Sequence, residues 1–173
     1  MLVGGCHRDT ASPGRAGDAN RANAVQTNAV EANATVTKVV DGDTIDVDID
    51  GRRTRIRMIG FNTPESVDPR RPVECFGKEA SKHLAALSPV GTEVRVEGDA
   101  ESHDRYGRTL AYVYRASDGL FLNLQMVVDG YAHTLTIPPN VTFADRFREA
   151  ERGAREAGRG LWSACPDGSS TDG

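Results

Sequence analysis

The sequence predicts an α+β fold, a five-stranded Greek-key β-barrel carrying three helices. Three observations predict it. Residues 39–65 alternate apolar and polar on both sides of Asp50-Gly51, the pattern of two half-buried strands joined by a two-residue turn. Three further short segments read as strands, and a helical segment separates the third strand from the fourth. Two more helical segments follow the fifth strand. This order matches an OB-like barrel with helical additions.

At 173 residues the chain has room for one domain with a full core. Residues 1–33 are rich in Ala, Asn and Gly without apolar periodicity and read as a disordered segment and linker. The folded domain is expected over 34–165, with a polar, disordered tail over 166–173. Val3-Gly4-Gly5-Cys6 resembles the end of a lipoprotein signal, although the charged and apolar stretches expected upstream of it are missing. Either the true start lies upstream and Cys6 is a lipid site for membrane anchoring, or the match is chance. Net charge is −4. That balance argues against broad, charge-driven binding to nucleic acid, so any phosphate chemistry must use a local cluster.

The elements follow in order. Thr35 to Val40 is the first strand and the hairpin over 44–58 supplies the next two. Pro64 lacks an N–H and restricts Thr63, so Asn62-Thr63-Pro64-Glu65 leaves the sheet as a loop that stays polar and proline-rich to about residue 74. Lys78 to Leu87 reads as a helix with Phe76, Ala80, Leu84 and Leu87 on one face, stopped by Ser88-Pro89. Thr92 to Glu97 and Leu110 to Tyr114 are the last two strands, separated by a polar loop over 98–109. Asn123 is expected to N-cap a short helix ending at Gly130. Thr142 to Asp145 resembles a capping box that starts a longer helix, with Phe143, Phe147, Ala150, Ala154 and Ala157 on its apolar face. Gly158 and Gly160 end it, and Leu161-Trp162 folds back onto the core.

The Asp50-Gly51 turn fixes a register that sets Asp48 opposite Arg53, Asp46 opposite Arg55 and Thr44 opposite Arg57. Cross-strand charge pairs occupy the first two arginines. Arg57 is left as the unpaired cation, with Asp43 at one end of the hairpin and Asn62 and Glu65 at the other. An arginine flanked by oxygen ligands suggests a phosphate arriving with a metal. Taken singly, Asp-Gly-Asp is an ordinary turn and an arginine stripe an ordinary solvated face.

Asp41-Gly42-Asp43-Thr44, then Arg57, then Asn62-Thr63-Pro64-Glu65, then Asp104-Arg105-Tyr106-Gly107-Arg108 form an ordered set. It resembles the staphylococcal nuclease (thermonuclease) family over about residues 34–162. The resemblance implies a five-stranded OB barrel with three helices and a Ca2+-dependent, sugar-non-specific nuclease. Such an enzyme hydrolyses DNA and RNA by attack of water and leaves 3′-phosphates. It implies Asp43, Asn62 and the Thr63 carbonyl as calcium ligands, Glu65 as general base, Arg57 and Arg108 on the scissile phosphate, and Arg105 and Tyr106 flanking the substrate. Asn62 stands where the family often has an aspartate, which removes one negative charge from the metal shell. No substrate-stacking tyrosine can be placed in Tyr131-Ala-His-Thr-Leu-Thr-Ile137, where the family often has one. His103 and His133 read as loop or surface residues and Trp162 as core.

The alternative from another class is an OB-like module that binds nucleic acid or protein without cutting. The presence of Arg57, Glu65 and Arg108 favours the enzyme, which is expected to act as a monomer with no obligate protein partner. Three cysteines with Cys6 set apart leave Cys75 and Cys165, both at segment ends, as a disulfide pair in an exported, extracellular or cell-surface protein. Two free thiols are the other reading.

Overall fold

The computed structural model describes Met1, residues 29–65 and residues 74–165. Strands β1 (Ala34–Asp41), β2 (Thr44–Ile49), β3 (Arg52–Met58), β5 (Glu93–Glu97) and β6 (Thr109–Arg115) close a five-stranded barrel in the order β1-β2-β3-β6-β5. β3 and β6 run parallel and the other neighbours antiparallel. A two-stranded sheet of β4 (Gly60–Asn62) and β7 (His133–Leu135) stands beside it. Helix α1 (Gly77–Leu87) separates β4 from β5, and α2 (Leu122–Val128) and α3 (Ala144–Glu156) follow the barrel. The fold-back expected at Leu161-Trp162 is a single turn, α4 (Leu161–Ala164). No helix among the described residues is long and apolar enough to cross a membrane.

The hairpin has the predicted register, from Ile49↔Arg52 to Thr44↔Arg57. Asp50 and Gly51 both have positive φ, 52° and 78°, as a tight turn of this hand requires. Ile45, Val47, Ile56 and Met58 point into the barrel and are fully buried with Val36, Val94 and Val113. Helices α1, α2 and α3 add Leu84, Met126 and Phe147 to the same core.

The ion pairing on the outer face departs from the prediction. Asp46 is only 1% exposed and accepts from both Arg53 and Arg55, the latter through Nε at 2.8 Å. Asp48 instead accepts from the Gly51 N–H and braces the turn. Arg53 reaches diagonally to Asp46 because a charged donor matters more to that buried carboxylate than to half-buried Asp48 opposite it. The Arg55 hydrogen bond, opposed by burial and reinforced by Arg53, holds the Asp46 carboxyl down at about 2.

Two helix starts are also corrected. Asn123 lies inside α2, and Phe121 is the N-cap. The Asn123 side chain is fully buried, where it accepts from the Val113 N–H and donates to the Ile59 and Ala111 carbonyls. It pins α2 to the barrel instead of capping a helix. The Thr142 capping box does not form, because the Thr142 hydroxyl donates to Asp99 and Phe143 is the N-cap of α3. Of the expected α3 face, Ala157 is exposed. Trp162 is half-buried against His133 and Arg155. His133 lies on β7 and is half-buried, not a loop residue.

Cys75 and Cys165 form a disulfide that ties the start of α1 to the end of α4. Cys6, most of the expected N-terminal segment, residues 66–73 of the proline-rich loop and the 166–173 tail lie outside the described residues.

Two measurements test these links. The bridge closes a separation of 90 residues, for which loop-closure entropy sets a ceiling of about 4–5 kcal/mol. Replacing both Cys75 and Cys165 by serine should therefore lower unfolding stability by about 2–4 kcal/mol in urea titrations. The Asp46 carboxyl has a folded value below its unfolded value of about 3.9. Its stabilisation is thus present above about pH 4 and lost as pH falls towards 2. The stability gap between the parent and Asp46→Asn should be constant near neutrality and shrink across that acid window.

Candidate active site

Arg57 is the hub of the site. It lies one residue from the end of β3, opposite Thr44 on one side and beside Leu110 of the parallel β6 on the other. Its Nη1 donates to the Met58 carbonyl at 2.6 Å. Its Nη2 donates to Asn62 Oδ1 at 2.9 Å and lies 3.1 Å from Asp43 Oδ2. Arg57 is therefore not the unpaired cation expected from the register. The Asp43 carbonyl accepts from the Met58 N–H at 2.9 Å, which carries the strand pairing one step past Thr44. That step sets the Asp43 carboxylate beside the guanidinium.

Around this pair the polypeptide collects oxygen atoms. Asp43 is buried, and its Oδ1 accepts from the Thr44 hydroxyl at 2.8 Å. Asn62 Nδ2 donates to the Thr63 carbonyl at 3.2 Å. The Thr63 hydroxyl is buried with no hydrogen-bond partner among the described residues. It packs so closely on Gly42 that a Cβ there would lie 2.7 Å from it, which is why residue 42 must be glycine. Asp41, also buried, accepts from the Gly42 N–H at 2.8 Å and from Ser81 Oγ of α1 at 2.9 Å.

Among the described residues no three His, Cys, Asp or Glu side chains gather as an ion-holding group. What is gathered at Arg57 is a buried carboxylate, an amide oxygen and a carbonyl, with the orphaned Thr63 hydroxyl beside them. An all-oxygen set of low charge fits a hard cation that keeps several waters and does not fit a thiolate- or imidazole-seeking metal.

On its other side Arg57 lines a cleft of about 510 Å³ with Arg105, Tyr106 and Arg108. Leu110, Leu135 and Ile137 supply apolar wall. Asp104 builds the basic edge of this cleft. Its Oδ1 accepts the backbone N–H groups of Tyr106 and Arg108, both at 2.9 Å, and its Oδ2 accepts from Arg108 Nε at 2.6 Å. Burial pushes the Asp104 carboxyl up, but the bonds from Arg108 and Tyr106 outweigh it and hold the group below the usual carboxylate range. Gly107, at φ 77°, closes the turn. Tyr106 is 69% exposed, with the Arg105 guanidinium 4.8 Å from its ring centre.

The structure thus joins Asp43, Asn62 and Arg57 directly, and sets Arg57, Arg105, Tyr106 and Arg108 around one cleft. Asp43, Asn62, Thr63 and Glu65 do not line that cleft; Arg57 is the group shared by both clusters. Glu65 is half-buried beyond Pro64, its N–H bonded to Glu74 Oε2 at 2.9 Å. Sequence reasoning quoted Asp104 in its motif without giving it a role, and missed Ser81 and Glu74. The role of Asp104 was findable, since an Asp three residues before a glycine is a turn signal that organises the following N–H groups. The Ser81–Asp41 contact spans 40 residues and left no local sign.

A family model described as staphylococcal nuclease homologue matches residues 55–164. That span contains Arg57, Asn62, Glu65 and Arg108, whereas Asp41 to Thr44 precede it. A thermonuclease of Staphylococcus hyicus is 40% identical over 132 residues, 74% of each chain. A thermonuclease of Staphylococcus intermedius is 40% identical over 131 residues, 73% of this chain and 74% of that one. The endonuclease YncB of Bacillus subtilis is 34% identical over 131 residues, 75% of this chain and 61% of that one.

Proposed function

The chain belongs to the staphylococcal nuclease family and is a phosphodiester hydrolase acting on nucleic acid, and from that premise we propose a Ca2+-dependent, sugar-non-specific endonuclease that leaves 3′-phosphates. One observation carries the reading: Arg57 belongs at once to the cleft with Arg108 and to the oxygen cluster with Asp43 and Asn62. A phosphate held by the two arginines would sit beside the hard-cation donors.

In this reading the Asp43 carboxylate, Asn62 Oδ1 and the Thr63 carbonyl would hold the ion. When bound, calcium supplies polarisation of a phosphoryl oxygen. Arg57 and Arg108 grip the phosphate oxygens and stabilise the negative charge that grows on them. Asp104 holds Arg108 by its Nε edge at 2.6 Å, which restricts how the rest of the guanidinium can be presented. Glu65 takes the proton of the attacking water as the new P–O bond forms. The 5′-oxygen then leaves with a proton from solvent, and the phosphate stays on the 3′-oxygen. Arg105 and exposed Tyr106 flank the polynucleotide, where an aromatic face is worth about 1–3 kcal/mol per stacked base. The Cys75–Cys165 bridge supports action in an oxidising, extracellular or cell-surface setting. Anchoring through Cys6 belongs to the same proposal and rests on sequence alone.

Plasmid DNA and RNA should both be cleaved with calcium and survive in excess chelator; full activity in chelator would remove calcium from the reading. Arg57→Ala and Arg108→Ala should each lower kcat by about 10²–10³-fold, the usual loss of a charge-stabilising donor. Arg53→Ala and Arg55→Ala should each cost under about 1 kcal/mol of stability and leave turnover intact, because each leaves Asp46 one guanidinium. Asn62→Asp should tighten calcium binding in calorimetry, and unchanged or weaker affinity would exclude Asn62 from the ligand set.

A further inference from the structure

Glu65 and Glu74 are nine positions apart and joined in both directions. The Glu65 N–H donates to Glu74 Oε2 at 2.9 Å, and the Glu74 N–H donates to the Glu65 carbonyl at 2.9 Å. One oxygen of the Glu74 carboxylate thus holds the main chain of Glu65. The two bonds fix both peptide groups that flank the Glu65 Cα. A side chain hung on a Cα fixed on both sides keeps a constant origin.

The residues after Glu74 form a rigid post. The Gly77 N–H donates to the Glu74 carbonyl at 3.1 Å. Gly77 packs on the same piece of chain, since a Cβ there would lie 2.6 Å from the Glu65 carbonyl oxygen and 2.9 Å from that of Pro64. Phe76 takes a left-handed conformation, φ 73°, and lies 5.1 Å from the Tyr131 ring. That conformation is costly for a bulky residue and persists only where its surroundings enforce it. Cys75 is bonded to Cys165. Four consecutive residues, 74 to 77, therefore each make a fixing contact, and two of them grip Glu65.

We propose that Glu74 is a positioning residue for the nuclease reaction, holding the Glu65 main chain so that the Glu65 carboxylate meets the attacking water in a fixed place. The proposal rests on the assignment of Glu65 as general base. In this proposal Glu74 acts only through the main chain of Glu65. Its effect therefore falls on turnover and not on substrate affinity, because a displaced base slows the chemical step while the arginine cleft is unchanged.

The test is a double-mutant cycle on plasmid cleavage in saturating calcium, with thermal unfolding followed in parallel. Glu74→Ala should lower kcat about 10–100-fold with KM within twofold. Glu74→Gln keeps an oxygen acceptor for the Glu65 N–H and should recover kcat to within about threefold without moving the pH profile. In a Glu65→Gln background, Glu74→Ala should cost almost nothing further, since there is no base left to position. An equal loss in both backgrounds overturns the proposal and makes Glu74 a stabilising residue only. Wild-type kcat in Glu74→Ala beside a strongly impaired Glu65→Gln overturns it while leaving the general base intact. An unimpaired Glu65→Gln removes the general base, and the positioning role with it. If Glu74→Ala does not fold, Glu74→Asp, one methylene short, replaces it with the same cycle and the same overturning outcomes.

Discussion

The site depends on where one residue of β3 falls in two ladders at once. Arg57 faces Thr44 across the antiparallel side of the strand and partners Leu110 across the parallel side. The first pairing brings the turn that carries Asp43, and the second brings the chain that carries Arg108. Either pairing shifted by one residue would turn the side chains of that strand to the opposite face. The arginine would then enter the barrel, where Ile56 and Met58 are now fully buried. Core burial of β3 therefore holds the chemistry in register, and the arginine needs no separate scaffold.

Much of this could be read in advance, but only along the chain. The hairpin register followed from Asp50-Gly51, because a two-residue turn with two positive φ values leaves one pairing. The parallel β3–β6 ladder was not legible, since more than fifty positions separate Arg57 from Leu110 and no local pattern records the meeting. Side-chain partners failed for a related reason. Opposition predicted Arg53 with Asp48, whereas burial of Asp46 drew both neighbouring arginines to it. Asn123 has the composition of a cap but is spent on three backbone groups of the barrel and its exit. In each case desolvation, which depends on the closed barrel, overrode a preference that the local sequence stated correctly.

The charge distribution fits a chain of net −4 that must still hold a polyanion. Among the described residues, several arginines are matched by carboxylates where they stand: Arg53 and Arg55 to Asp46, Arg115 to Asp118, Arg148 to Asp145 and Arg152 to Glu149. The two carboxylates that pair with Arg108 and Arg57 also take donors from elsewhere in the protein. Asp104 takes two backbone N–H groups as well as Arg108 Nε, and Asp43 takes the Thr44 hydroxyl as well as Arg57. The cleft itself is lined by Arg57, Arg105 and Arg108 against Glu101 and Asp104, so basic groups outnumber acidic ones there. A locally basic edge on an acidic protein favours a bound phosphate without favouring indiscriminate adhesion.

The same economy explains why the disulfide lies where it does. Strand pairing fixes Arg57, and the turn built on Asp104 fixes Arg108, but Glu65 lies beyond Pro64, past the end of β4, where no ladder can hold it. Something other than a sheet must define its position. The residues that grip it, Glu74 and Gly77, bracket Cys75, and Cys75 is tied to a C-terminal turn whose Leu161 is buried in turn against the body of the protein. Leu161 N–H donates to the Gly130 carbonyl at 2.8 Å, and Gly130 follows α2, which Asn123 pins to the barrel. A chain of short contacts thus runs from the barrel through α2, α4 and the disulfide to the main chain of Glu65. It supplies by covalent and hydrogen-bonded bracing what β-sheet register supplies to the two arginines.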